Sequence, residues 1–190
     1  MFSTLVTAPI ASVFTVAEAK EQSRIDTSAD DSRVQAFIDR ATAYFDARDG
    51  VTGEALISQT WRLTLASGEF KSGIALPIGP AQSITSIECY IDGTLTALGT
   101  ENYRLTDGKV YLTETGSMPS VDAREDAVQI TYVAGYGDAG SDVPETTRNG
   151  IALLTAYLYD HRDASEDSGD APNFAFSAML AASRSARGMF

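Results

Sequence analysis

Residues 128–137 read VQITYVAGYG, and this stretch together with its continuation decides the fold class. Valine, isoleucine, threonine and tyrosine favour a β-strand, and Gly135 and Gly137 end it. A short polar loop then leads to Pro144, and proline favours the first position of a helix. The amphipathic pattern after Pro144 predicts a helix that extends to Arg162. The stretch contains no nucleophile, ligand cluster or phosphate-binding loop, so it indicates a structural module.

Two further helices are predicted before the β-rich region. Thr15 and Glu18 have the spacing of a capping box, which predicts a short helix that ends near Arg24. Asp30 and Asp31 place negative charge at the start of a second helix, where the helix dipole favours it. The apolar residues of this second helix recur at intervals of three and four, which is typical of one buried stripe. They are Val34, Phe37, Ile38, Ala41 and Phe45.

Between the helices, the hydrophobic pattern changes to strict alternation, which is typical of half-buried strands. Alternating apolar residues predict strands around residues 61–65, 87–91 and 128–132. The Asp-Gly pairs at 92–93 and 107–108 are hairpin turn signals. The prolines in residues 76–80 exclude that segment from the centre of a sheet, because proline donates no backbone hydrogen bond.

The order of these elements predicts an α+β protein: a small α-helical bundle with an inserted antiparallel β-subdomain and an extended C-terminal tail. Residues 15–53 and 144–162 are expected to form the helical core, and residues 54–137 the inserted β-subdomain. Residues 1–14 show no helical period and are interpreted as an N-terminal arm that lies along a neighbour or stays mobile. Residues 163–190 are interpreted as a linker followed by a C-terminal anchor segment.

The charge of the chain limits its partners. Its 14 Lys and Arg residues against 26 Asp and Glu residues give a formal net charge of −12. Nucleic acid and anionic membranes should repel such a chain, so neither is expected as a partner that the chain binds. Cys89 is the single cysteine, which excludes an intrachain disulfide and favours a reducing compartment. It lies in an apolar strand pattern and is interpreted as a buried, inert thiol.

The candidates for chemistry are weak. His161 is the only histidine, which excludes a zinc site built on two histidines. It could act as a general base with Asp160 or Asp163, but a histidine at a helix C-terminus is also favoured by the helix dipole alone. The chain has no Gly-x-Ser-x-Gly elbow, so a hydrolase that uses His161 is kept only as an alternative. We therefore expect no enzymatic activity, no catalytic residue, no cofactor and no metal.

The C-terminal segment combines aromatic and sulphur-containing side chains with arginines after an acidic linker. Two interpretations stay open: a last helix packed on its own core, or an anchor inserted into a partner. The second interpretation assigns partner binding to the apolar and arginine side chains of the segment. They are Phe174, Phe176, Met179, Leu180, Arg184, Arg187, Met189 and Phe190.

Taken together, the motifs resemble those of one family, the head–tail connector (adaptor, or head-completion) proteins of long-tailed phages and gene transfer agents. The resemblance spans most of the chain and rests on the order and spacing of several segments. They are residues 15–20, 24–26, 37–41, 56–63, 74–80, 84–87, 128–137 and 143–144, the helix to Arg162, and the arginine-bearing C-terminus. Family members usually have prolines where Gly79 and its neighbours lie, so the resemblance does not specify the shape of the local loop.

The resemblance implies a homo-oligomeric ring, typically a dodecamer, in the neck of a virion or phage-like particle assembled in the host cytoplasm. Such a ring docks beneath the portal protein, presents a surface to the downstream neck or tail-completion protein, and lets DNA pass. The family grips the portal with its C-terminal segment, which here is residues 174–190. The alternatives are a tail-completion or baseplate component of the same particle, and a carbohydrate- or peptide-binding β-module.

Overall fold

The computed structural model describes residues 1–23, 26, 28–46 and 49–160 of the chain. These residues belong to two compact units. One unit contains residues 1–10 and 58–136, and the other contains residues 11–57 together with the chain from 137 onward. The first is a β-unit and the second is a helical unit.

The β-unit is built on a five-stranded sheet in the order β1-β2-β8-β4-β5, in which every neighbouring pair is antiparallel. Its strands are β1 (Phe2–Thr7), β2 (Gln59–Leu65), β4 (Ala81–Ile91), β5 (Thr94–Ala97) and β8 (Val128–Ala134). Trp61, Leu63 and Leu65 alternate along β2 and are buried, as the period of two predicts. The central strand β8 buries Tyr132 completely.

A second, three-stranded sheet has the order β3-β7-β6. Its strands are β3 (Ile74–Ala75), β6 (Tyr103–Thr106) and β7 (Lys109–Leu112). The β6–β7 hairpin turns at Asp107 and Gly108, which both have positive φ (50° and 67°), and Asp92 and Gly93 do the same between β4 and β5 (49° and 76°). Paired positive φ angles are the geometry that favours Asp-Gly in tight hairpins, so both predicted turns are confirmed. Residues 76–80 lie outside every strand.

The helical unit contains α1 (Val16–Ser23), α2 (Asp31–Phe45) and α3 (Glu145–Asp160). The buried residues of α2 are the five of the predicted stripe, which confirms the 3.6-residue period. Helix α3 begins one residue after Pro144, whose carbonyl accepts the N–H of Arg148 (3.0 Å). Pro144 therefore precedes the helix, whereas the sequence predicts it at the first helical position. In the described part of the chain, none of the helices combines the length and the apolar character that a membrane span requires.

The N-terminal residues form more structure than the sequence suggests. Residues 1–14, interpreted above as an arm, include β1, which pairs with β2 from Phe2 opposite Thr64 to Thr7 opposite Thr60. Val13 and Phe14, at the end of the same segment, are buried. Both outcomes depend on residues far along the chain, which is why a local pattern does not show them.

Candidate functional site

The predicted portal-binding residues, from Phe174 to Phe190, lie outside the described residues, and so does His161. The described part of the chain ends with α3 at Asp160, and the predicted linker and anchor segment follow in the sequence. Whether this point is held firmly depends on how α3 is attached to α1 and α2.

The attachment of α2 to its neighbours uses the two aspartates at its start. The Nζ of Lys20 on α1 donates to Oδ1 of Asp31 (2.7 Å), and the hydroxyl of Tyr159 on α3 donates to Oδ2 of Asp30 (3.1 Å). The ring of Phe37 meets the ring of Tyr159 edge-on, with centroids 6.4 Å apart. Asp30 stands at the N-cap of α2, but its side chain makes no capping hydrogen bond. The two carboxylates therefore connect three helices, and their negative charge lies at the start of α2 as predicted.

The start of α3 is attached to α1 and to the segment before it. The guanidinium of Arg148 lies 4.8 Å from the centroid of the buried Phe14 ring, and its Nη2 is 3.8 Å from Oε1 of Glu18. Glu18 also accepts the backbone N–H (2.8 Å) and the hydroxyl (2.7 Å) of Thr15, and Thr15 Oγ1 accepts the N–H of Glu18. This confirms the predicted capping box. The Thr15 hydrogen bonds, first the backbone and then the side chain, lower the pKa of Glu18.

Each pair of helices is thus joined by a polar contact, and α3 is held near both of its ends. The first-turn residue Arg148 and the last-turn residue Tyr159 fix it against α1 and α2. A helix held at both ends presents whatever follows it from a fixed position. The sequence predicts the three helices but not these contacts, because the partners are far apart in the chain.

A second surface feature is the edge of the five-stranded sheet that no strand of the described residues covers. β1 is the terminal strand, and all of its residues except Ser3 are exposed. Its start is fixed, because the amino group of Met1 lies 3.2 Å from Oε2 of Glu69. A hydrogen bond from the backbone N–H of Ala66 and the Met1 amino group lower the pKa of Glu69, with the backbone bond as the larger cause. Sequence reasoning missed this edge, although an uncharged run rich in threonine, valine and leucine was a signal for a strand.

The described residues offer no evident reactive centre. Among residues 1–23, 26, 28–46 and 49–160, no three His, Cys, Asp or Glu side chains group in a way that could hold a metal ion. Cys89 is buried, as predicted, and burial raises the pKa of its thiol. A thiol that is buried and harder to ionise is a poor nucleophile. The arrangement supports binding and assembly better than it supports chemistry.

No model of a known protein family matches the chain, and no curated protein matches it. Solved structures do. The chain is similar to a protein of the neck of an empty gene transfer agent (GTA) particle, computed with C6 symmetry, with a TM-score of 0.77, 25% identity, and coverage of 96% of this chain and 95% of that one. It is equally similar to a protein in the virion of a native GTA particle, with a TM-score of 0.76, 25% identity, and coverage of 96% and 94%.

The likeness extends over nearly the full length of both chains. The likeness to these neck and virion proteins agrees with the resemblance to head–tail connector proteins that the sequence indicates. A third structure, the neck of a native GTA particle computed with C12 symmetry, shares the connector's fold with a TM-score of 0.71 and 24% identity over 96% and 94% of the two chains. The resemblance seen in the sequence is thereby confirmed for the connector as a whole.

Proposed function

We propose that this connector is a structural, non-enzymatic component of the neck of a phage-like particle. The observation that carries the proposal is the likeness to GTA neck and virion proteins over 96% of the chain. Because the likeness covers nearly the whole chain, it supports a role for the whole chain and not for one subdomain alone. The described residues add a helical unit whose helices are joined by polar contacts, and an exposed strand at the edge of a sheet.

More specifically, the connector forms a homo-oligomeric ring, a dodecamer, below the portal protein and joins the capsid to the next neck or tail-completion protein. Residues 15–53 and 144–162 serve as the helical core, residues 54–137 as the inserted β-subdomain, and residues 174–190 as the portal anchor. The attachment of α3 at Arg148 and Tyr159 supports the anchor, because it fixes the point from which the C-terminal segment departs.

DNA is proposed to pass through the ring without binding to it. The support is the formal net charge of −12 on each copy, which opposes the condensation of a polyanion on the protein. Rings that carry added lysines on the lumen should retain DNA. Transfer at an unchanged rate by such rings would contradict this part of the proposal.

The anchor is tested by co-sedimentation with the portal ring of the same particle. Three chains are compared: the full-length connector, a chain truncated after Asn173, and a matched control in which residues 174–190 are present in scrambled order. We expect the full-length chain to bind and the other two to stay in the supernatant. Equal binding by all three chains would mean that the helical unit, not residues 174–190, binds the portal. Binding by the full-length and scrambled chains alone would mean that the composition of the segment is sufficient and its residue order is not required.

Two alternatives give different results in the same setting. A tail-completion or baseplate component would leave the portal unbound and co-sediment with the tail tube. A hydrolase that uses His161 would lose its function in the His161→Ala variant, whereas a structural connector carrying that substitution should still yield transfer-competent particles.

A further inference from the structure

The exposed apolar side chains of the connector are concentrated at its N-terminus. Eight large hydrophobic residues are exposed among the described residues, and five of them lie within residues 1–10. They are Met1 (64% exposed), Phe2 (53%), Leu5 (46%), Val6 (48%) and Ile10 (88%). Three of the five belong to β1, an edge strand of the five-stranded sheet.

We propose that the free edge of β1 is a contact surface between neighbouring copies of this chain, to which an extended segment of the next copy adds as a further strand. The proposal rests on the proposed ring and names one surface by which its copies touch. Strand addition needs an edge that offers unpaired backbone groups and side chains that gain from burial.

The backbone of β1 meets the first requirement. Among the strands that the structure describes, only β2 pairs with β1, so the opposite side of β1 is an edge at which N–H and C=O groups can pair with another strand. The register shifts between Leu5 and Thr7, which leaves Val6 without an opposite residue in β2.

The side chains meet the second requirement. Protein edges that must stay free usually carry a lysine, a glutamate or a proline, and Phe2–Thr7 has none of them. Valine, leucine and phenylalanine at the edge are half exposed and gain free energy when a neighbour covers them. An uncharged edge strand of this length favours aggregation of a free monomer, whereas in an oligomer the same edge can pair with a neighbouring subunit.

The charge of the chain favours a second copy as the occupant. Two copies that each carry −12 repel one another, so the contact with the lowest electrostatic cost is one without charged side chains. Residues 1–17 contain no charged side chain, and the positive amino group of Met1 is already paired with Glu69. Residues 1–17 are therefore the longest run without charged side chains in the N-terminal half of the chain, and a like-charged neighbour meets the least repulsion there.

The symmetry of a ring specifies what kind of pairing this is. Copies in a closed ring touch through two different surfaces, whereas β1 against β1 would make an isologous dimer. The added segment is therefore a region of the neighbour other than its own β1. The Met1–Glu69 ion pair and the β2 ladder hold the edge in place beforehand, so little of the binding free energy is lost in ordering β1.

The first test compares Val6→Lys with Val6→Thr. Both variants replace the same exposed side chain of β1, but only Val6→Lys adds a charge to the edge. The assembled fraction is measured by mass photometry, for the full chain alone and on its own portal ring. We expect Val6→Lys to weaken assembly by roughly tenfold, which corresponds to about 1.4 kcal/mol, and Val6→Thr to assemble like the wild type. Wild-type assembly by a folded Val6→Lys chain would overturn the contact and leave the proposed ring intact.

The second test does not depend on weakening the assembly. Val6→Cys is placed in a Cys89→Ala background, and the rate of maleimide labelling is compared for the unassembled and the assembled chain. We expect labelling to slow by roughly tenfold or more on assembly, because the pairing covers residue 6. An equal rate in both states, or a disulfide between two copies through position 6, would overturn the proposal. A wild-type chain that stays monomeric with and without the portal would overturn the ring and this contact together.

Discussion

The hydroxyl of Tyr132 lies in the centre of the β-unit, and Tyr132→Phe should change both the stability of the connector and its response to alkaline pH. Tyr132 is fully buried on β8, and its hydroxyl oxygen accepts the backbone N–H of Ile78 at 3.3 Å. The substitution leaves that buried N–H without a partner. An unsatisfied buried donor costs about 1–3 kcal/mol, and we expect a loss of that size in the free energy of unfolding at pH 7.

The pH response follows from the titration of the phenol. Burial is the main cause that raises the pKa of Tyr132 from its ordinary value of 10.0 to about 12. The unfolded chain therefore releases this proton at a lower pH than the folded chain, so stability is complete below pH 10 and is lost as the pH rises towards 12. Linkage gives a loss of about 1.4 kcal/mol from Tyr132 by pH 11.

The assay is urea unfolding of the wild type and Tyr132→Phe at a series of pH values from 7 to 11. The difference between the two proteins should shrink by about 1.4 kcal/mol as the pH reaches 11, because only the wild type has this phenol to ionise. Tyr111→Phe is the control, since Tyr111 is partly exposed and its ring stays in place under Arg104. A difference that stays constant up to pH 11 would refute the assignment of a raised pKa to Tyr132.

Three further predictions concern the helical unit. Thr15→Ala removes the capping box and should cost about 1 kcal/mol by urea unfolding, with Glu18→Gln losing part of the same stability; an unchanged midpoint for both variants would contradict the cap. Tyr159→Phe removes the hydrogen bond to Asp30 and should cost about 1 kcal/mol and speed hydrogen exchange in the last turns of α3, while α1 is unaffected. Ile38→Ala leaves a cavity at a fully buried position and should cost about 2–5 kcal/mol by calorimetry; a loss under 1 kcal/mol would mean that the site collapses around the smaller side chain.

The parts of the fold that the sequence predicts are those with a local cause. The stripe of α2 follows from a 3.6-residue period, and the turns at 92–93 and 107–108 follow from Asp-Gly pairs that accept positive φ. Each of these signals lies within a short stretch of neighbouring residues. For the same reason, the capping box at Thr15 is readable from four residues.

The parts that the sequence does not show depend on distant partners. β1 becomes a strand because β2, more than fifty residues later, offers it a ladder. Tyr159 and Asp30 are 129 positions apart, and nothing near either residue indicates the other. The candidate site is assembled from such contacts, so it cannot be predicted from local sequence patterns. Only the resemblance of the whole pattern to a family indicates it.

The pairing of Gln59 with Ala134 in the β-unit has a consequence for the order in which the connector folds. Roughly 100 residues separate the end of α2 at Phe45 from the start of α3 at Glu145, and a loop of that length must close before the two helices can pack. Once β2 and β8 have paired, the effective loop is only about a quarter as long. The entropy of closure then falls by about 1 kcal/mol, so early folding of the sheet speeds the docking of α3 on α2.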